Sequence, residues 1–322
     1  MANGYLAAGQ FGERNGALAF LYNSVYAFHM PLFFALSGYV FSLAYLRENG
    51  ARSREKLLRK TADMTAVYLF WSILFGVMKL LTPGLVSNTL TVADIVRIPV
   101  RAIDHFWYLY VLIFCYLFAF LLLNGERKNK ALQWALPISA AACVLCCLIS
   151  LPNFTFFRLL GCFLFFLLGV CLQSWEDAVQ LLQNPLMIAL HLAAGFLIVY
   201  LSDLRGVPGT SWEDYGLCGP LLAYCLSAAF IGVFSRLPSV PALEFLGRNS
   251  LAIYILHNFF IALCRAALPK IGIDSFALSV IISVIVATGV PVLIVQAAEK
   301  LGIASLLFAP VSFFRSRKKK EN

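Results

Sequence analysis

Apolar runs recur along this chain at lengths that match a lipid bilayer. A helix needs about 20 largely apolar residues to cross the hydrocarbon core. Such runs lie near 26–46, 62–81, 106–123, 131–151, 154–173, 186–201, 217–235, 250–268 and 276–297, the sixth being short. With 13% of residues charged and 61% hydrophobic, the chain cannot cover a core of this size with polar surface, so lipid is its solvent. The expected fold is all-α: a polytopic membrane helix bundle of about nine transmembrane helices, in a single domain over 1–322. The region 82–104, holding Pro83, Gly84 and Pro99, is expected to form a short interfacial helix.

Charge sets the expected orientation. Basic residues cluster on one side: Arg47, Arg52, Arg54, Lys56, Arg59 and Lys60 after the first run, Arg127, Lys128 and Lys130 after the third. Arg236, Arg248, Lys300 and the basic tail at 309–322 fall on the same side. The opposite side holds Arg14, Arg97, Arg101, Arg205 and Lys270. The positive-inside rule then makes the C-terminus cytoplasmic and the N-terminus external. Residues 1–25 show neither a basic segment followed by an apolar core nor a cleavage site. The net charge of +9 follows this loop pattern and suits anionic headgroups, which excludes nucleic acid as the partner. Cys143, Cys146 and Cys147 lie in an apolar run without a neighbouring histidine or acid. They read as small membrane-helix hydrophobes, with neither a metal site nor disulfides expected.

Three stretches, FHMPLFFALSGYVFS at 28–42, HFWYLYVLIFCYLF at 105–118 and LGRNSLAIYILHNF at 246–259, resemble the membrane acyltransferase family 3. FFLLGVCL at 165–172 is similar to the family's phenylalanine-rich span ending in glycine. The four occur in the family's order and spacing, from about residue 20 to 300. The resemblance implies a multi-pass enzyme of the plasma (bacterial cytoplasmic) membrane. It would move an acetyl or other short acyl group from cytoplasmic acyl-CoA to a hydroxyl of a cell-surface sugar or lipid-linked glycan precursor. Acyl-CoA would be a donor substrate, and no tightly bound cofactor is implied. Family members usually have ten spans, and the first carries a basic residue and a histidine. The FHMPLFF helix corresponds to their second span, so that pair has no counterpart here and the chain reads as lacking the first helix. The family also places two basic residues, three apart, before Pro-Tyr. Here Val67 takes the proline's place, and Lys56 and Arg59 are the pair at that spacing, assigned to an acyl-CoA-binding basic loop.

Acyl transfer to a hydroxyl needs a base, and histidine suits it because its pKa lies near neutrality. His29 starts a span, with Pro31 in the first helical turn. It is either an interfacial histidine satisfied by water or a catalytic residue of an outer acceptor pocket. His105 lies between Asp104 and the aromatic run Phe106-Trp107-Tyr108. That run is either an interfacial belt or, with His105 catalytic and Trp107 binding substrate, part of the pocket. His257 sits about two turns into its span, where ionisable groups face the bundle interior. Asn249 and Ser250 read as the N-cap of that helix, whose backbone donors, with Arg248, are the expected contact for the CoA phosphates. Arg158 is a substrate-binding candidate or a headgroup-seeking side chain, while Lys79 and Arg265 are expected to snorkel. Ser37 and Gly38 are small residues at a helix contact, with Ser37 also a donor bordering an acyl tunnel. Two other readings stay open: an inactive or regulatory fragment of such an enzyme, and a membrane transporter or exporter of surface polysaccharide. Asp63 is the main carboxylate near a span end that transport could use.

Overall fold

The computed structural model describes residues 16–46, 51–82, 90–125, 128–149, 155–207 and 211–321. Among these every regular element is helical. In lipid, where no water can satisfy the backbone, helices close their own hydrogen bonds, and this is why the apolar runs fold this way. The long helices are α1 (Gly16–Phe41), α2 (Ala51–Leu81), α4 (Trp107–Leu123), α5 (Lys128–Leu148) and α6 (Thr155–Ser174). They continue with α8 (Pro185–Leu204), α9 (Gly219–Arg236), α11 (Ser250–Ala267) and α12 (Phe276–Lys300). Shorter helices are α3 (Val92–Val96), α7 (Glu176–Gln183), α10 (Pro241–Arg248), α13 (Ala304–Phe308) and α14 (Pro310–Glu321). Eight of the described helices are long and apolar enough to cross a membrane. A ninth candidate is broken: Arg158–Ser174 and Asp177–Gln183 meet at 103°. The protein is a multi-pass membrane protein of the expected all-α class.

Two sequence-based boundaries move, because hydropathy alone does not mark where a helix begins. The first span begins at Gly16 rather than near residue 26, because Asn23 and Ser24 are buried at 4% and 3% exposure. Asn23 donates to Asp203 at 3.4 Å, and Ser24 donates to the Phe20 carbonyl at 2.8 Å. Hydropathy counts such residues as non-membrane although the Asn23 amide N–H and the Ser24 hydroxyl find acceptors inside the bundle. His29 and Pro31 therefore lie inside a helix, not at its start. Likewise α2 extends back to Ala51, since Arg, Glu, Lys and Leu are strong helix formers whatever their hydropathy. The expected basic loop is a helix, and Lys56 and Arg59 are exposed on it. The short helix expected in 82–104 is α3, closed by a capping box in which Thr91 and Asp94 exchange hydrogen bonds. Pro83 and Gly84 lie outside the described residues.

The chain forms two compact units. One comprises Met1–Arg14, Arg59–Tyr110 and Ser239–Asn322; the other comprises Asn15–Leu58 and Val111–Pro238. Taken by itself, the second unit is packed through glycine. A Cβ on Gly38 of α1 would lie 1.9 Å from the Phe166 carbonyl oxygen, and one on Gly169 of α6 would lie 1.8 Å from that of Ala35. The two helices therefore cross backbone to backbone, the use of small residues that membrane packing favours. Phe41 and Phe166 pack nearby with Tyr116. The helix α1 ends in a π-turn over Ser42–Leu46, where Ser42 donates to Gln173 at 2.5 Å. A second core gathers Ala27, Phe28, Val199, Tyr215, Leu222 and Leu226.

Candidate functional site

The first unit is held by polar links between segments. On α2, Tyr68 (2% exposed) donates to the Ile98 carbonyl at 2.6 Å, and Trp71 donates to the Leu307 carbonyl at 3.1 Å. Asp63 accepts from the Ser312 backbone N–H at 3.0 Å and from its hydroxyl. The carboxylate that transport would need thus secures the start of α14. Near the other end of α2, Lys79 is 8% exposed and binds the Asp104 carboxylate at 2.8 Å. The Lys79 Nζ also sits 5.6 Å from the centre of the Phe75 ring. The expectation that Lys79 snorkels is therefore wrong. A carboxylate lies within its reach, so the ammonium is paired in the protein instead of travelling to the headgroups.

Asp104 takes a φ of 44°. An L-residue adopts the left-handed region at some cost, and such residues concentrate at functional sites. Here the turn points the carboxylate at Lys79 and starts the 3₁₀ turn Asp104–Phe106 that carries His105. His105 is then enclosed by aromatic rings. Phe106 lies at 4.2 Å, Phe75 at 5.4 Å and Tyr254 at 5.5 Å between centroids. The fourth neighbour is His257 at 5.2 Å, edge-on at 73°. Tyr254 donates from its hydroxyl to the His105 carbonyl at 2.5 Å, fixing that backbone against α11.

The hydrogen bonds also assign the ring protons. A carbonyl oxygen only accepts, so a ring nitrogen bonded to one must carry hydrogen. His105 Nε2 donates to the Ile255 carbonyl at 3.2 Å, and His257 Nδ1 donates to the carbonyls of Tyr254 at 2.7 Å and Ile253 at 3.1 Å. In the neutral rings the basic lone pairs are then Nδ1 of His105 and Nε2 of His257. The Nδ1 of His105 is buried without a hydrogen-bond partner among the described residues. Buried polar atoms are nearly always satisfied, so this orphan next to a second histidine makes the pair the candidate site of the unit.

The structure brings together some of the expected site residues and leaves others elsewhere. His105, His257 and Trp107, the half-buried first residue of α4, belong to this unit. Arg248 is exposed at the end of α10. Asn249 does not cap α11 with its side chain, contrary to expectation. Its amide donates back to the Phe245 carbonyl at 2.9 Å, because α10 runs almost directly into α11 and the preceding turn offers a closer acceptor. His29, Ser37 and Arg158 belong to the other unit. His29 is half-buried, with Nδ1 donating to the Val25 carbonyl at 3.2 Å, and packs edge-on to Tyr26. Ser37 is half-buried beside the Gly38 crossing, and Arg158 lies within electrostatic reach of Glu213. Sequence reasoning missed the roles of Lys79, Asp104 and Tyr254. The first two are opposite charges at adjoining span ends, and Tyr254 lies three residues before His257, one turn away on the same helix face.

The long apolar helices define the class as a multi-pass membrane protein, and its candidate site is the His105–His257 pair beside the Lys79–Asp104 ion pair. Sequence comparison supplies the family. The model of the acyltransferase domain of acyltransferase family 3 matches residues 4–296, so the chain belongs to the membrane acyltransferase family 3. No curated protein and no solved structure matches it.

Proposed function

We propose that this family 3 acyltransferase is an O-acyltransferase. It moves an acetyl or other short acyl group from cytoplasmic acyl-CoA to a hydroxyl of a cell-surface sugar or lipid-linked glycan, in the bacterial cytoplasmic membrane. The observation that carries the proposal is the orphaned Nδ1 of His105 beside His257. His105 Nδ1 removes the acceptor's hydroxyl proton while the oxygen attacks the thioester carbonyl, forming a tetrahedral intermediate. Collapse breaks the C–S bond, and the CoA sulfur leaves with the proton returned by the imidazolium. An alcohol and an acyl thioester thus become an ester and free thiol. His257, with Nε2 as acceptor, orients the acceptor molecule by receiving a hydrogen bond from a second, neighbouring hydroxyl. The Lys79–Asp104 pair and Tyr254 are positioning residues, since they hold the His105 backbone and touch no reacting atom. Exposed Lys56, Arg59 and Arg248 offer cationic contacts for the CoA phosphates on the cytoplasmic side. His29, which belongs to the other unit, takes no part in this step, and its Nε2 can accept from a sugar hydroxyl there.

The test incubates membranes holding the full chain with labelled acetyl-CoA and a panel of sugar acceptors. Alkali-labile labelled ester is expected, with its yield falling about a hundredfold or more in His105→Ala, as loss of a general base does. Full activity in His105→Ala, or no ester with any acceptor, would overturn the proposal.

A further inference from the structure

The second unit contains a cavity of about 460 Å³ bounded by α1, α6, α7 and α9. Its size falls within the roughly 300–1,000 Å³ of small-molecule sites. The walls are hydrocarbon, from residues such as Phe165, Leu168, Leu182 and Ile231. The rim residues Trp175, Leu181 and Tyr224 are 53%, 57% and 39% exposed, so the cavity opens to the surroundings of the helices. It exists because the chain turns through 103° between α6 and α7. That bend carries α7 away from the axis of α6 and leaves space against α9.

Besides the Cys171 thiol and the polar ends of Trp175 and Tyr224, two polar residues line it, and they differ in kind. Ser227 is 5% exposed, and its hydroxyl has no hydrogen-bond partner among the described residues. Several helical hydroxyls here donate to the carbonyl one turn back, as Ser24, Thr65 and Thr288 do, the usual resort of a buried hydroxyl. Ser227 has kept its donor uncommitted in a largely apolar wall. Asp177, exposed at α7, is one of the lining residues and places a carboxylate near the opening. A negative charge there repels an anionic head and tolerates an uncharged one.

We propose that this cavity binds the hydrocarbon chain of a lipid whose polar end is an uncharged oxygen function, an alcohol or an ester. The chain fills the apolar walls, Ser227 donates to the ligand oxygen, and Asp177 selects against fatty-acid anions and against acyl-CoA itself. The site is independent of the acyl-transfer reading, because it uses none of the residues assigned to that chemistry.

Photolabelling of the purified full chain tests it, with diazirine-tagged hexadecanol as the uncharged probe and diazirine-tagged palmitate as the anionic one. The alcohol is expected to label 165–182 and 224–231 saturably, several-fold above palmitate at neutral pH. Ser227→Ala should weaken alcohol labelling about fivefold, the worth of one hydrogen bond, and Ala228→Trp should fill the cavity and lower labelling tenfold or more. Should Ala228→Trp fail to fold, the exposed substitution Asp177→Asn still decides. It should raise palmitate labelling to the level of the alcohol. Leu197→Trp, on the exposed face of α8, should change nothing. Labelling spread evenly over outward-facing helices such as α5, or equal labelling by both probes in the unmodified chain, would overturn the proposal. So would Asp177→Asn leaving the preference intact.

Discussion

The two units solve the same problem with different chemistry. Lipid offers helices little hydrophobic reason to associate, so contact must come from close packing or from interhelical hydrogen bonds. The unit containing Gly38 and Gly169 relies chiefly on packing, with backbones touching where any side chain would collide. The unit containing His105 relies on polar links: Lys79 to Asp104, Tyr254 to His105, His105 to Ile255 and Asp63 to Ser312. Among the histidines His105 stands apart. His29, His191 and His257 each donate to a carbonyl of their own helix, whereas His105 is bonded across to another. Polar linkage can aim a reactive group, and glycine packing leaves smooth apolar space. The acid–base site accordingly lies in the first unit and the hydrocarbon cavity in the second.

The comparison breaks most sharply at His105. His105→Ala is expected to reduce initial transfer rate by about two orders of magnitude or more, while the protein still elutes as a single folded species in detergent. His29→Ala should cost far less in maximal rate and act chiefly on apparent acceptor affinity. Equal losses of maximal rate would erase the distinction between the units. Next comes the ion pair. Lys79→Met leaves the Asp104 carboxylate without its cation in a site 26% exposed to solvent. This should destabilise by about 2–3 kcal/mol, below the 3–5 of a fully buried pair. Adding Asp104→Asn should restore part of that loss in the thermal midpoint, as a double-mutant cycle would reveal.

Packing in the other unit predicts a comparable penalty without rescue. Gly38→Val or Gly169→Val forces the helices apart and should cost about 1–3 kcal/mol in thermal stability. Asp104→Asn should neither add to nor relieve it beyond simple summation. The smallest effect lies outside the spans. Hydrogen bonds from the Thr91 side chain, and then its backbone, hold the Asp94 carboxyl below its ordinary pKa. A depressed carboxyl contributes stability above its ordinary pKa, and that contribution fades as pH falls through the lowered value. Thr91→Ala should raise the Asp94 titration part of the way toward the usual carboxylate range, since the backbone hydrogen bond remains, followed by its side-chain NMR shift, with transfer activity unchanged.

Much of this was legible in the residues, and the failures share a cause. Apolar run length located the spanning helices because bilayer thickness is fixed. It placed the start of α1 too late, since Asn23 and Ser24 look like loop residues until Asp203 and the Phe20 carbonyl are seen to receive them. It took Lys56 and Arg59 for a loop because hydropathy is blind to a polar helix. The right-angle bend near Trp175 left no sign in the apolar pattern, as neither proline nor glycine stands at it. Lys79 was misread because its partner is 25 residues away in the chain, at a turn whose left-handed Asp104 no residue-type rule announces.

The sequence by itself determined the solvent, the helical class and the family motifs, because these depend on composition and on spacing along a helix. It also supplied His105 and His257 as candidates. Only the tertiary structure decided that they meet, which nitrogen of each keeps a lone pair, and where an apolar cavity opens. Those facts depend on which helix faces lie against one another. In lipid that choice turns on a few glycines and hydrogen bonds between segments remote in sequence, which hydropathy does not register.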